Sequence, residues 1–357
     1  MKTTFFPSYT IGTDAYDAIE DICSKSGNKA VVVGGKTAIE KARPYLEKSL
    51  ENSSIKIIEW LWYGGDATFQ NAERLSKEEA MKNADMIFAV GGGRAIDTCK
   101  YVKKLTGLPL YTLPTIAATC APITRNSVMY MESGELSNLE FYPRGPEHCF
   151  INSQVIAEAP SKYLWAGIGD TIAKYFESNF SARGDMVDHN NALGLKIADL
   201  CWSDLKLYGN QGYKDSLENK ASEDLERVVL TNIVTTGLTS VQVIHDYYNA
   251  GLAHALYYGM TAIPEVEENH LHGEMVAYGV LVLEYMDKDY QSLDDLIEFY
   301  RKIKLPTSYK ELQLNKERID LLIEKACVLN DIKHSPYEIT EDMVKEGIYG
   351  LEKYQSW

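Results

Sequence analysis

Between residues 29 and 114 the chain moves repeatedly from a short apolar run to a breaker and on to a helical stretch, and this alternation restricts the fold more than any other feature. The β-branched run at 29–33 stops at Gly34-Gly35 and is followed by a helical pattern from Thr37 to about Leu50. Residues 55–60 read as a strand and 71–83 as a helix, with Ala72, Leu75 and Ala80 loosely on one side and Glu73, Arg74, Lys77 and Glu78 toward solvent. Residues 85–90 form the next strand, followed by Gly91-Gly92-Gly93 and a further helix; residues 108–113 form another, stopped by Pro114. Strands separated by helices imply a parallel sheet with crossover helices.

The second half has a different character. From Ser161 onward helical periodicity dominates, with expected helices at 161–181, 187–208, 223–244, 272–286, 293–302 and 318–329. A chain of 357 residues is long for one core. The change of pattern between Gln154 and Pro160 divides it into an α/β unit, 1–157, and an all-α unit, 158–357, with a ligand cleft expected between them.

No apolar run approaches the ~20 residues that a membrane helix needs, and the first residues lack the apolar stretch of a signal peptide. A cytoplasmic protein with no membrane partner is expected. The formal net charge of −15, without a Lys/Arg-rich block, argues against a nucleic-acid partner, because phosphate contacts need a positive surface. The six cysteines are scattered without a CxxC pair, which suits small core residues in a reducing compartment.

Two stretches carry chemistry. In the first, a strand runs through Val90 into Gly91-Gly92-Gly93-Arg94 and then a helix. Glycines let the backbone approach a ligand closely, and a helix N-terminus offers free N–H groups to a pyrophosphate, with Arg94 adding charge. A glycine-rich turn without a ligand would read the same way, and the spacing is not GxGxxG. The second stretch is dispersed: Asp170 after Gly167-Ile168-Gly169, His254 among small residues, and His270 and His272 before an apolar helix. One Asp and two His make a three-ligand set with an open position, as catalytic zinc needs. His270 and His272 are two apart on the chain, so spacing alone does not choose between them. Hydrogen-bonded core histidines are the plainer alternative.

Taken together, these residues resemble the iron-containing, or group III, alcohol dehydrogenase superfamily, in its glycerol dehydrogenase branch and close to the hydroxycarboxylate dehydrogenases. The likeness starts at Pro7-Ser8-Tyr9-Thr10-Ile11-Gly12 and continues through Gly91–Thr98, Pro114–Pro122, Gly167–Asp170 and His272-Gly273-Glu274, fading around Ser335. The resemblance implies a dehydroquinate synthase-like architecture, with a dinucleotide-binding α/β domain before a helical domain. It implies Asp170, His254 and His272 as ligands of a divalent metal, most often zinc in this branch, and catalysis through that metal. It implies NAD or NADP held by Gly35, Lys36, Gly92, Gly93, Arg94, Asp97, Thr115, Ala118, Thr124, Asn126 and Tyr130. It also implies a homo-oligomer, a dimer or an octamer.

Three departures from the family pattern shape the expected substrate. Iron-dependent members carry a His four residues after the metal-binding Asp; Lys174 stands there, and a protonated lysine ligates nothing. The spacing also allows an ordinary Asp170–Lys174 helix pair. Cys120 occupies the place where glycerol dehydrogenases usually carry an Asp that contacts the polyol. Losing an acid and gaining Lys174 favours an anionic 2-oxo or 2-hydroxy acid over glycerol. Finally, Gly34-Gly35-Lys36-Thr37 follows the first long strand where NAD-preferring relatives often have an acid, so NADP(H) is expected to be accepted. Glycerol dehydrogenase proper is the first alternative. A sugar-phosphate cyclase-type lyase and a metal-free binding protein are further ones; the lyase would normally use a Glu ligand and a basic cluster that this chain lacks.

Overall fold

The computed structural model describes residues 5–243 and 246–355, apart from the side chains of Leu136 and Asp246. Ile244, the expected end of the helix starting at Glu223, and residues 1–4 lie outside the described residues. The strands are β1 (Tyr9–Gly12), β2 (Lys29–Gly34), β3 (Lys56–Trp62), β4 (Met86–Gly91), β5 (Leu110–Pro114), β6 (Asn126–Tyr130), β7 (Leu136–Phe141) and β8 (His148–Asn152). Six make one parallel sheet in the order β1-β8-β5-β4-β2-β3, and β6 and β7 form a separate antiparallel pair.

Helix α1 (Ile19–Cys23) precedes β2, α2 (Lys36–Ser49) crosses from β2 to β3, and α3 (Phe69–Ser76) with α4 (Glu79–Asn83) leads into β4. Helix α5 (Gly93–Thr106) crosses from β4 to β5. On β2, Ala30 and Val32 pack with Ala42 and Leu46 of α2, while Val31 and Val33 join Ala72, Leu75, Ile96 and Val102 on the other face. Cover on both faces explains the unbroken apolar runs of these strands. The single helix expected at 71–83 is broken in two, for a geometric reason. Leu75 and Met81 reach the same core, and six residues along one straight helix they would point about 120° apart.

The connection from β2 steps outward to β3, whereas that from β4 steps the other way to β5. The carboxyl ends of β2 and β4 therefore flank a topological switch point, where open α/β sheets bind ligands. Both glycine-rich turns lie there. Gly91 has φ +147°, a conformation that favours glycine, and a Cβ on it would stand 3.8 Å from the Gly35 nitrogen.

Every described element after β8 is helical: α6 (Ser153–Ala157), α7 (Lys162–Ser181), α8 (His189–Leu217), α9 (Glu223–Leu230), a π-helical turn at Thr231–Thr235 and α10 (Thr236–Gln242). Then come α11 (Leu252–Thr261), α12 (Pro264–Asn269), α13 (His272–Asp287), α14 (Tyr290–Ile303), α15 (Lys316–Ala326) and α16 (Glu341–Tyr354). The expected helices correspond to α7, α8, α9 with the π turn and α10, α13, α14 and α15. Helices α6, α11, α12 and α16 lie outside the expected set. The core of this half also takes in Ala117 and Ile123 from the loop after β5, so that loop is clamped between sheet and helices. Among the described residues no helix is long and apolar enough to cross a membrane.

Candidate metal centre

Helix α7 carries a polar stripe. Asp170, Lys174, Glu177 and Ser178 stand at i, i+4, i+7 and i+8, on one face of the helix. Three of them hold the segment entering α11. Lys174 Nζ donates to the Asn249 carbonyl at 2.6 Å and to its Oδ1 at 3.3 Å, and Ser178 Oγ donates to the Tyr248 carbonyl at 2.6 Å. Glu177 Oε1 accepts the Gly251 and His254 backbone N–H groups, each at 2.9 Å, and its Oε2 lies 2.6 Å from His254 Nδ1.

Asp170 faces two imidazoles. Its Oδ1 lies 3.2 Å from His272 Nε2 and 3.4 Å from His254 Nε2, and the ligand atoms of all three residues fall within 4.8 Å of one another. Zinc bonds of about 2.0–2.1 Å set tetrahedral edges of about 3.3 Å, which the two Asp170–histidine separations match. His272 is the most exposed of the three, at 36% of its side chain against 14% for Asp170 and 12% for His254. The open side of the site is therefore the His272 side.

Close backbone approach makes this convergence possible. A Cβ on Gly273 would stand 1.8 Å from the Ala166 carbonyl, and one on Gly169 would stand 2.2 Å from the Gly273 carbonyl. Glycines on both helices let α13 lie against α7 and deliver His272, the first residue of α13, to Asp170. Gly273 thus serves helix packing.

The electrostatics match a cation site. Burial by itself would raise the Asp170 carboxyl, but His272 and His254 beside it outweigh this and hold it well below the usual range. Burial would lower His254, yet Glu177 and Asp170 together hold its imidazole up at about 10. Two carboxylates around one imidazole leave the pocket short of positive charge, which a proton or a divalent cation supplies.

His270 lies elsewhere: its Nδ1 is 2.9 Å from Glu274 Oε1, and its buried Nε2 has no partner among the described residues. The Asp170–Lys174 helix pair does not form, because Lys174 turns to Asn249. The Lys174 ammonium is buried, and among the described residues no carboxylate forms an ion pair with it. Cys120 comes close enough to feel it. Burial raises the Cys120 thiol above its ordinary range, with Lys174 pulling the other way.

At the sheet end, Gly35 and Gly92 cap α2 and α5 without any side-chain capping bond. The Lys36 ammonium lies 4.7 Å from the centre of the Trp62 ring. The Arg94 guanidinium lies 5.0 Å from the Tyr130 ring centre and 3.4 Å from Asp66 Oδ2. Thr115 donates its N–H to the Gly91 carbonyl, which places it at the switch point, and Gly93 and Ala118 are both partly exposed. Asp97 is turned inward: Oδ1 accepts from Lys100 Nζ at 3.0 Å and Oδ2 from the Val128 N–H at 3.1 Å. Lys100 also donates to Thr124 Oγ1 at 3.1 Å and the Asn126 carbonyl at 2.7 Å.

Sequence reasoning missed Glu177, Lys100 and Asn232. Asn232 sits in the π turn and donates Nδ2 to the carbonyls of Ala117, at 3.0 Å, and Leu164, at 3.3 Å, tying the loop after β5 to α7. A π turn is a recurrent mark of functional positions, but no spacing in the chain announces it.

The family profile described as iron-containing alcohol dehydrogenase matches residues 7–152. The glycerol dehydrogenase of Thermotoga maritima is 30% identical, over 99% of this chain and 98% of its own length. Hydroxycarboxylate dehydrogenase A of Escherichia coli is 29% identical, over 92% and 91%. The crystal structure of glycerol dehydrogenase from Schizosaccharomyces pombe superposes with a TM-score of 0.87 at 25% identity, covering 100% of this chain and 92% of that one.

Proposed function

The chain belongs to the iron-containing alcohol dehydrogenase family, and from that premise we propose that it is a metal-dependent, NAD(P)-linked reductase of small 2-oxo acids, run in reverse on 2-hydroxy acids. That it is a dehydrogenase acting on CH–OH donors follows from the family. The observation that carries the metal dependence is the placement of His272 Nε2 and His254 Nε2 at 3.2 and 3.4 Å from one Asp170 oxygen. A divalent cation bound there, for which zinc is our choice, supplies Lewis-acid polarisation of the substrate oxygen, and a nicotinamide supplies the hydride couple. Reduction adds that hydride and one proton to the 2-oxo carbon and its oxygen.

The chain's own side chains do the rest. Asp170, His254 and His272 hold the cation on a face left open beside His272. Cys120, a neutral thiol, presents no charge to repel a carboxylate. Lys174, a buried ammonium that forms no carboxylate ion pair among the described residues, although Glu177 lies near enough to feel its charge, offers one an attractive field. Residues 1–157 carry the cofactor at the β2 and β4 ends, with Lys36 and no acid beside the expected adenosine ribose, which favours NADP(H). Six free cysteines suit a cytoplasmic enzyme. Self-association as a dimer or octamer belongs to the same proposal and rests on the family alone.

The second reading is glycerol dehydrogenase proper, favoured by the relatives of that name. A substrate panel separates the two. Glycerol, 1,2-propanediol, 2-oxoglutarate and 2-oxobutanoate are assayed with NAD(H) and NADP(H), with and without zinc. We expect zinc-stimulated turnover of the 2-oxo acids with NADPH. Good turnover of glycerol and none of the 2-oxo acids would establish the second reading instead.

A further inference from the structure

Glu177 is the most deeply enclosed carboxylate near the site, with 0% of its side chain exposed, so it presents no surface to a substrate. All of its polar contacts point toward one segment. Oε1 takes the N–H groups of Gly251 and His254, each at 2.9 Å, which are otherwise unpaired donors at the start of α11. No side chain of α11 itself caps that end, because the capping position is Gly251. Oε2 lies 2.6 Å from His254 Nδ1. An ionised carboxylate only accepts hydrogen bonds, so the hydrogen of that contact sits on Nδ1. In the neutral imidazole the lone pair is then left on Nε2, the atom directed at Asp170 Oδ1.

We infer that Glu177 is a positioning residue for the metal: it clamps the helix and the ring of His254 together and fixes the tautomer that leaves Nε2 free to bind. This rests on the metal-site reading above and adds to it the residue that makes one ligand competent. The arrangement joins two functions in one side chain. The same carboxylate that stabilises the first turn of α11 sets the ring on it, so helix position and ligand orientation cannot vary independently.

Glu177→Gln is the informative variant. An amide of the same shape has one oxygen and one NH2. If the oxygen keeps the two backbone N–H groups, the NH2 faces Nδ1 and forces the hydrogen onto Nε2, which blocks ligation. If the amide turns over, α11 loses its cap. The expected result is zinc affinity weaker by roughly 10- to 100-fold, the range typical of lost partners behind a ligand. Affinity is read by competition with a chromophoric chelator, so it does not depend on turnover. Ser178→Ala, which removes another α7 contact to the same segment, serves as the structural control. It should lower the thermal midpoint without moving zinc affinity.

Wild-type zinc affinity in folded Glu177→Gln overturns the inference and leaves the metal site standing. Failure of the wild-type chain to bind zinc overturns both. Should Glu177→Gln fail to fold, the wild-type protein still decides. Nitrogen-15 histidine spectra of the zinc-loaded chain, assigned with a His254→Asn variant, should show the His254 hydrogen on Nδ1. Metal bound through Nδ1 would refute the inference.

Discussion

Lys174 is the side chain whose replacement most directly tests the substrate class. Burying an ammonium costs free energy unless it is paired, and here two acceptors of Asn249 satisfy only part of its donor capacity. Lys174→Met keeps the length of the stem and removes the charge. A charge-assisted contact is worth about 1.5–3 kcal/mol, so kcat/KM for 2-oxoglutarate should fall roughly 10- to 150-fold. Turnover of 1,2-propanediol should change little. An equal loss on both substrates would mean that Lys174 acts only through Asn249, and the anionic substrate class would lose its main support. At this scale the sequence is legible where chemistry resides in residue type. Asp170, His254 and His272 can be picked out as candidate ligands; spacing leaves His270 and His272 open, and the family resemblance selects His272. Glu177 cannot be found that way. Its partners are two backbone N–H groups and one ring nitrogen more than 70 residues along the chain, and a carboxylate at i+7 from Asp170 looks like any solvated helix residue.

Elements differ in how openly the chain declares them. β2 and β4, covered on both faces, show as unbroken apolar runs, and their glycine turns mark the switch point. β8, five residues beginning with His148, escapes notice because it is short and starts with a polar residue, yet it sits between β1 and β5. Helix α11 is apolar nearly all round, so no amphipathic period marks it. α16 carries Val344, Ile348 and Leu351 at i, i+4 and i+7, an amphipathic spacing that is legible in the sequence. His148 gives the β1–β8 pairing a pH dependence. Its Nδ1 lies 2.8 Å from Ser8 Oγ and its Nε2 2.9 Å from Thr10 Oγ1, so the ring bridges to the edge strand and the residue just before it. Burial lowers its pKa to about 4, with Lys25 adding to the effect. The unfolded chain, near 6.5, therefore takes up the proton first. Stability from this group is complete above about 6.5 and falls as pH drops toward about 4, by at most about 3 kcal/mol. Urea unfolding across this range should show a shallower acid loss for His148→Gln than for wild type. Parallel curves for the two proteins would assign the loss to other groups.

At the scale of the whole molecule, the site lies where three helices from distant parts of the chain meet. α7, α11 and α13 contribute one candidate ligand each, and α7 is bound through Asn232 to the loop that follows β5. That loop contributes Ala117 and Ile123 to the helical core, so apolar contact runs without a break from the sheet into the helices. The sequence pattern divides the chain into two units, whereas this shared core leads us to expect that they unfold together. A cation joining the three helices stabilises only the folded chain, by about 2.7 kcal/mol when zinc is present at about a hundred times its dissociation constant. For a chain of this size that is a rise of several degrees in the thermal midpoint. Because the clamped loop couples the halves, the rise should appear in one cooperative transition, with fluorescence from Trp60 and Trp62 on β3 moving together with the loss of helical circular dichroism. Asp170→Asn keeps the shape of the site but removes the charge that both imidazoles face, and it should abolish the zinc-dependent rise. A zinc shift confined to the helical signal, with the tryptophans of the sheet unmoved, would show that the two halves unfold independently and that the joint through Asn232 carries little free energy.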